Sequence, residues 1–155
     1  VVTNDRGITV WLKGNRVSRN QIMAIKEESV TDQKNSLTVC LDNILRHAGI
    51  TRNTEYDLAQ GKTAIQILEE NMTGVQVLDL SGCSLDAVLY YVNQDIPVLA
   101  ILEDGEAVLV TGFNEFNVVI MEPSTGKLYK KGMNDATTWF AENGNHFISY
   151  MKIEN

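Results

Sequence analysis

The chain has 155 residues, a length typical of one domain, and its 44% hydrophobic content is enough for a core of its own. Its formal net charge of −7 argues against nucleic acid or an anionic membrane surface as a partner. No apolar run approaches the length needed to cross a bilayer, so direct membrane insertion is not predicted.

The N-terminal part predicts one strand and one helix. Residues 7–13 alternate apolar and polar side chains, which indicates a short strand. Ser18 and Gln21 fit a capping box that begins a helix ending near Glu28. We assign residues 1–28 to this strand and helix, an extension of a preceding domain, and residues 29–155 to the main domain. Because the sequence does not start with methionine, we expect a piece of a longer protein with further linked domains.

The stretch of residues 35–50 predicts the helix around which the domain is organised. Its apolar residues recur at the spacing of one helix face: Leu37, Cys40, Leu41, Ile44, Leu45 and Ala48. Asn35 or Ser36 is suited to cap its start, and Gly49 to end it. Asp42 and Arg46 stand one turn apart, and we predict that they lie on its solvent face.

Further helices are predicted before the chain becomes rich in β-branched residues. A short helix over residues 53–60 precedes a longer one over residues 62–72. Residues 75–80 read as a strand, and Ser84 caps a helix with Leu85, Val88, Leu89 and Val92 facing inward.

The second half of the chain predicts consecutive strands joined by short turns. The predicted strands are residues 97–102, 107–113, 117–122 and 127–131. A short helix over residues 134–142 and a last strand over residues 147–151 follow. Helices followed by an antiparallel meander define an α+β domain.

Five segments of this layout resemble the bacteriocin-processing (double-glycine) peptidase family. In chain order they are ILRHAGI at 44–50, LDAVLYYV at 85–92, PVLA at 97–100, GEAVLVTGF at 105–113 and EPSTG at 122–126. The family consists of papain-like cysteine peptidases, found as N-terminal domains of peptide-exporting ABC transporters and in looser secreted or surface-attached relatives. The resemblance implies a papain-like fold in which N-terminal helices pack on an antiparallel meander.

The same resemblance implies that the catalytic residues are replaced. Counting back from Gly49 puts the family's nucleophilic cysteine at Ser36. The catalytic histidine falls on Glu106, and the orienting Asp or Asn falls on Glu122. Gln33 is the candidate for the glutamine of the oxyanion hole, at a spacing shorter than usual. Serine without an imidazole base is a poor nucleophile, so we predict a peptidase-like domain without peptidase activity.

An alternative hypothesis is that the chain is catalytically active and uses other residues. Either Cys40 or Cys83 would act with His47 or His146 in an active thiol peptidase or acyl transferase. Against this, Cys40 belongs to the apolar helix face, where the thiolate is disfavoured. A third interpretation abandons the resemblance and predicts an acidic α+β binding domain without a groove.

The candidate binding residues are therefore Ser36, Glu106 and Glu122. In the family fold the two glutamates would face each other near Ser36, where close carboxylates favour a cationic group. The favoured interpretation of the same pattern is that these glutamates are solvated turn residues without a function. We expect a peptide or protein ligand, no cofactor and no metal set. As part of a larger bacterial protein, the domain is expected to be extracellular or at the cell surface, with the cytoplasm as the alternative.

Overall fold

The fold is given by a computed structural model that describes residues 35–153. The predicted strand at residues 7–13, the predicted helix ending near Glu28 and the candidate Gln33 lie outside the described residues. The assignment of residues 1–28 to an N-terminal extension therefore stays a prediction.

The organising helix, α1, spans Ser36–His47 and confirms the predicted signals at both ends. The side chain of Asn35 caps it by accepting a 2.8 Å hydrogen bond from the backbone N–H of Thr38. Gly49 follows the helix with φ of +88°, a conformation that glycine adopts without steric cost. The sequence pattern thus located this helix to within a few residues.

The predicted solvent face of α1 is wrong at Asp42, which is only 2% exposed. Its carboxylate accepts a 2.8 Å hydrogen bond from the backbone N–H of Thr54, in the segment before the next helix. Periodicity separates apolar from polar positions, and it does not show when a second segment covers a polar one. On the same helix, Arg46 donates to the side-chain oxygen of Asn43 at 3.1 Å.

The other helices follow the predicted order. They are α2 at Glu55–Ala59, α3 at Ala64–Asn71, α4 at Leu85–Val92 and α5 at Met133–Glu142. Thr63 and Gln66 form a capping box at the start of α3, and Ser84 caps α4 as predicted. Among residues 35–153, no helix is long and apolar enough to cross a membrane.

Within the described residues, the strands form one six-stranded antiparallel sheet in the order β1-β6-β2-β3-β4-β5. Their bounds are β1 Val75–Asp79, β2 Val98–Ile101, β3 Ala107–Phe113, β4 Asn117–Glu122, β5 Lys127–Gly132 and β6 His146–Lys152. Strands β2 to β5 are the predicted meander. The last described strand, β6, pairs with β1 on one side and with β2 on the other, so it lies between the first two strands of the chain order.

The core lies where helices pack on β2 and β3. Ala107, Val108, Leu109 and Val110 are all at most 5% exposed. Because consecutive strand residues point to opposite faces, both faces of β3 are covered here. Helix α1 packs against β3 and β2, and α4 packs against β3, β2 and β6. The described part of the chain is therefore an α+β domain of helices packed on an antiparallel sheet.

Candidate functional site

The first candidate residue, Ser36, joins α1 to the start of β3. Its hydroxyl oxygen accepts a 2.8 Å hydrogen bond from the backbone N–H of Ala107. Ser36 is 6% exposed and is the first residue of α1. The helix start and the strand start therefore meet at this hydroxyl, and Glu106 is the residue immediately before Ala107.

The candidate glutamates lie at the ends of two adjacent antiparallel strands. Glu106 immediately precedes β3, and Glu122 is the last residue of β4. Leu109 pairs with Met121, so the start of β3 lies beside the end of β4. The structure thus brings both glutamates to the sheet end that contacts Ser36.

The two carboxylates differ in surroundings. Glu106 is exposed, and its backbone N–H donates a 2.9 Å hydrogen bond to the carboxylate of Asp104 in the preceding turn. Glu122 is half-buried, and its carboxylate accepts hydrogen bonds from the backbone N–H of Ser124, at 2.7 Å, and from the Ser124 hydroxyl. The Glu122 carboxylate is therefore held by the turn that follows β4.

The Cys40 thiol lies one helical turn beyond Ser36 and is completely buried. Burial raises the pKa of this thiol well above its ordinary value, and the charges of Glu122 and then Glu106 raise it further. Both carboxylates are thus close enough to Cys40 to act on it electrostatically. They oppose the thiolate, whereas an activated cysteine needs a neighbour that stabilises it.

The remaining cysteine and the two histidines lie elsewhere. His47 ends α1, and its Nε2 is 3.1 Å from the backbone oxygen of Asp95. His146 begins β6, and Cys83 is half-buried before α4. Within residues 35–153, no hydrogen bond joins either thiol to a histidine ring.

The described residues offer no evident metal centre. In residues 35–153, no group of three or more His, Cys, Asp or Glu side chains is arranged to hold a metal ion. The chemistry available near Ser36 is that of a hydroxyl, a buried neutral thiol and two carboxylates. Such a set attracts cationic or hydrogen-bond-donating groups.

Sequence reasoning missed the backbone N–H of Ala107, the partner of the Ser36 hydroxyl. Every residue except proline carries such a donor, so its role has no residue-type signature. It also missed Ser124, whose N–H and hydroxyl hold the Glu122 carboxylate. An acidic residue followed two positions later by serine at a turn is the signal that would have indicated this contact.

Comparison with known proteins shows the fold. Comparison with protein-family models found no match, and comparison with curated protein sequences found none. A solved structure from Bacillus anthracis, described as that of a C39-like peptidase, is similar to this chain with a TM-score of 0.68 and 16% sequence identity. The similarity covers 86% of this chain and 98% of that chain. The chain therefore has the fold of a C39-like peptidase, in agreement with the peptidase-like fold that the sequence resemblance implies.

Proposed function

We propose that this chain is a papain-like, bacteriocin-processing-peptidase-like domain that binds a peptide or protein without cleaving it. The observation that carries the proposal is the pair of carboxylates, Glu106 and Glu122, at the sheet end that contacts the hydroxyl of Ser36. At these two positions, the peptidase family that the chain resembles has a catalytic histidine and the Asp or Asn that orients it.

The Ser36 hydroxyl lacks the partner that a nucleophile needs. Its oxygen is engaged as an acceptor by the N–H of Ala107, and the positions expected for the base and its orienting partner carry the carboxylates Glu106 and Glu122. Near neutral pH a carboxylate is a much weaker base than imidazole and does not remove a serine proton efficiently. Loss of a catalytic base or nucleophile typically costs on the order of 10⁴ to 10⁶ in rate.

The buried thiol of Cys40 does not replace that nucleophile. It is inaccessible, and its pKa is raised by burial and by the same two carboxylates. The electrostatics around α1 therefore favour the protonated form of Cys40. This supports a binding role for the surface formed by Ser36, Glu106 and Glu122 rather than covalent catalysis.

The cellular setting is proposed from the resemblance alone. Secreted and surface-attached relatives support a domain of a larger bacterial protein at the cell surface or outside the cell. The partner is proposed to be a peptide or protein because the family's groove accommodates a polypeptide.

A cleavage assay tests the absence of catalysis. The domain is incubated with a mixed-sequence peptide library, and the products are read by mass spectrometry. We expect the wild type to release no more products than the Ser36→Ala and Cys40→Ala variants. Cleavage that disappears in either variant would overturn the proposal. It would instead support an enzyme that uses the Ser36 hydroxyl or the Cys40 thiol.

A binding assay tests the proposed role itself. The domain is applied to an array of immobilised peptides, and we expect it to retain a defined subset. The variant Glu106→Gln/Glu122→Gln should lose that subset. Glu69→Gln/Glu142→Gln is the matched control, since it removes the same charge at exposed helical positions. Equal retention by all three proteins, or retention of no peptide, would contradict the binding proposal.

A further inference from the structure

A second concave region lies outside the surface formed by Ser36, Glu106 and Glu122. It has a volume of about 490 Å³ and opens at the ends of β1, β6 and β2. Its size is within the roughly 300–1,000 Å³ of small-ligand pockets. The side chains that define its chemistry are Asp79, Ser81, Ile101, Glu103, His146 and Ile148.

Strand pairing explains why these side chains meet. Asp79 of β1 pairs with Ile148 of β6, and His146 of β6 pairs with Ile101 of β2. Residues two apart on a strand share a face, and paired residues on adjacent strands do so as well. These four side chains therefore stand on one face of three neighbouring strands.

Backbone contacts hold the rim of the cavity in place. The N–H of Leu80 donates to the oxygen of Phe147 at 2.8 Å, which continues the pairing of β1 and β6 beyond Asp79. The N–H of Glu103 donates to the side-chain oxygen of Asn143 at 3.0 Å. A side chain at Gly144 would come within 2.8 Å of the His146 ring, so the ring lies against this backbone. These contacts fix the backbone at the rim of an open depression whose charged side chains are exposed to solvent.

The lining combines an apolar floor with negative charge. Ile101 and Ile148 supply apolar surface, while Asp79 and Glu103 carry carboxylates. Hydrogen bonds from the side chain and backbone of Ser81 lower the pKa of Asp79, whose carboxyl group is ionised at neutral pH even at its ordinary pKa. Among the described residues that line the cavity there is no lysine or arginine.

We propose that this cavity binds a guanidinium group carried on an apolar stem, as in an arginine side chain. The isoleucines would contact the methylene stem, and Asp79 and Glu103 would accept hydrogen bonds from the planar head. Guanidinium suits this arrangement because it donates in a fixed fork to carboxylates and stacks on flat rings such as that of His146. The proposal uses none of Ser36, Glu106 and Glu122, and it stands whether or not the domain cleaves peptides.

The two histidines of the sequence allow a direct test by NMR. The chain is titrated with N-acetyl-arginine amide while the imidazole signals are recorded. We expect the His146 signals to shift and saturate, and the His47 signals, at the end of α1, to stay unchanged. N-acetyl-citrulline amide has nearly the same shape without the charge, and it should bind at least about tenfold more weakly.

Matched variants assign the effect to the carboxylates. Asp79→Asn/Glu103→Gln removes both charges, and the new amide oxygen is still able to accept the 3.0 Å hydrogen bond from the N–H of Ser81. This variant should weaken binding at least about tenfold, whereas Glu69→Gln/Glu142→Gln should not.

Three results would overturn the proposal: no shift of His146, an equal shift with the citrulline compound, or an equal shift with sodium chloride at the same ionic strength. Since the citrulline and salt controls use the wild-type chain, they decide the matter even if the variant folds poorly. A failure of peptide-array binding would not affect this outcome.

Discussion

The hydroxyl of Ser36 accepts a 2.8 Å hydrogen bond from the backbone N–H of Ala107, a residue 71 positions further along the chain. This contact fixes the first turn of α1 against the first residue of β3. It also sets the distance between the position expected for the nucleophile and Glu106, the position expected for the base. The same side chain thus serves stability and determines the geometry of the candidate site.

Ser36→Ala should lower the free energy of unfolding by about 1–3 kcal/mol, because it leaves the buried N–H of Ala107 without an acceptor. Urea unfolding followed by circular dichroism measures the change. Thr73→Ala, at an exposed loop position, is the control and should change stability by less than about 0.5 kcal/mol. Equal stability of the two variants would show that the hydrogen bond contributes nothing.

Asp42→Ala should destabilise the domain by about 1.5–3 kcal/mol, since the buried N–H of Thr54 then loses a charged acceptor. Asp42→Asn should cost less because it keeps an oxygen at the same place. Urea unfolding of both variants provides the comparison. A larger loss for Asp42→Asn than for Asp42→Ala would contradict this account.

The thiol of Cys40 should react with iodoacetamide much more slowly than that of Cys83, because Cys40 is completely buried and Cys83 is half-buried. Mass spectrometry of the folded chain at neutral pH distinguishes the two sites, and both should be labelled in denaturant. Rapid labelling of Cys40 that is lost in a His47→Ala or His146→Ala variant would support the active thiol enzyme.

The raised pKa of Cys40 predicts a loss of stability in alkali. The unfolded thiol ionises near pH 8.5, whereas the folded thiol stays protonated, so the folded state binds more protons above that pH. The contribution of this thiol to the free energy of unfolding is complete below about pH 8.5. Above that pH it falls by at most about 1.4 kcal/mol per pH unit until the folded thiol ionises. Urea unfolding from about pH 7 to about pH 9 measures the start of this slope, below the pKa of about 10 at which unfolded tyrosines ionise.

Cys40→Ala should flatten that alkaline slope relative to the wild type. The variant keeps all the carboxylates and tyrosines, so its difference from the wild type reports the Cys40 thiol. An unchanged slope in Cys40→Ala would show that another group causes the alkaline loss.

Restoring the expected catalytic set tests the residue register implied by the resemblance. In a Cys40→Ala background, Ser36→Cys/Glu106→His/Glu122→Asp should react with iodoacetamide at least about tenfold faster than Ser36→Cys alone, because an imidazole stabilises the thiolate. Rates at neutral pH, read by mass spectrometry, give the comparison. Equal rates would mean that positions 36 and 106 do not approach as a nucleophile and its base do.

Local sequence signals located most of the helices and strands. Asn35, Thr63 and Ser84 each cap a helix through a side-chain oxygen, and such contacts reach only two or three residues along the chain. The meander strands β3 and β4 begin and end at the predicted residues because the turns between them carry the expected residue types. Information of this kind is contained within a few neighbouring residues.

The candidate site was only partly predictable. The resemblance supplied Ser36, Glu106 and Glu122 as positions, and no property of serine or glutamate alone would have selected them. Only the structure revealed the hydrogen bond between Ala107 and Ser36 and the hydrogen bond from Ser124 to the Glu122 carboxylate. Whether these residues bind a ligand stays a prediction for the peptide array.

The sequence by itself determined where this chain forms helices, turns and meander strands, because capping, periodicity and turn chemistry act between near neighbours. Only the tertiary structure decided that β6 lies between β1 and β2, that Asp42 is buried beneath Thr54, and that two carboxylates act on the Cys40 thiol. Each of these depends on segments that are distant in sequence, and their approach follows from the packing of the whole core rather than from any local pattern.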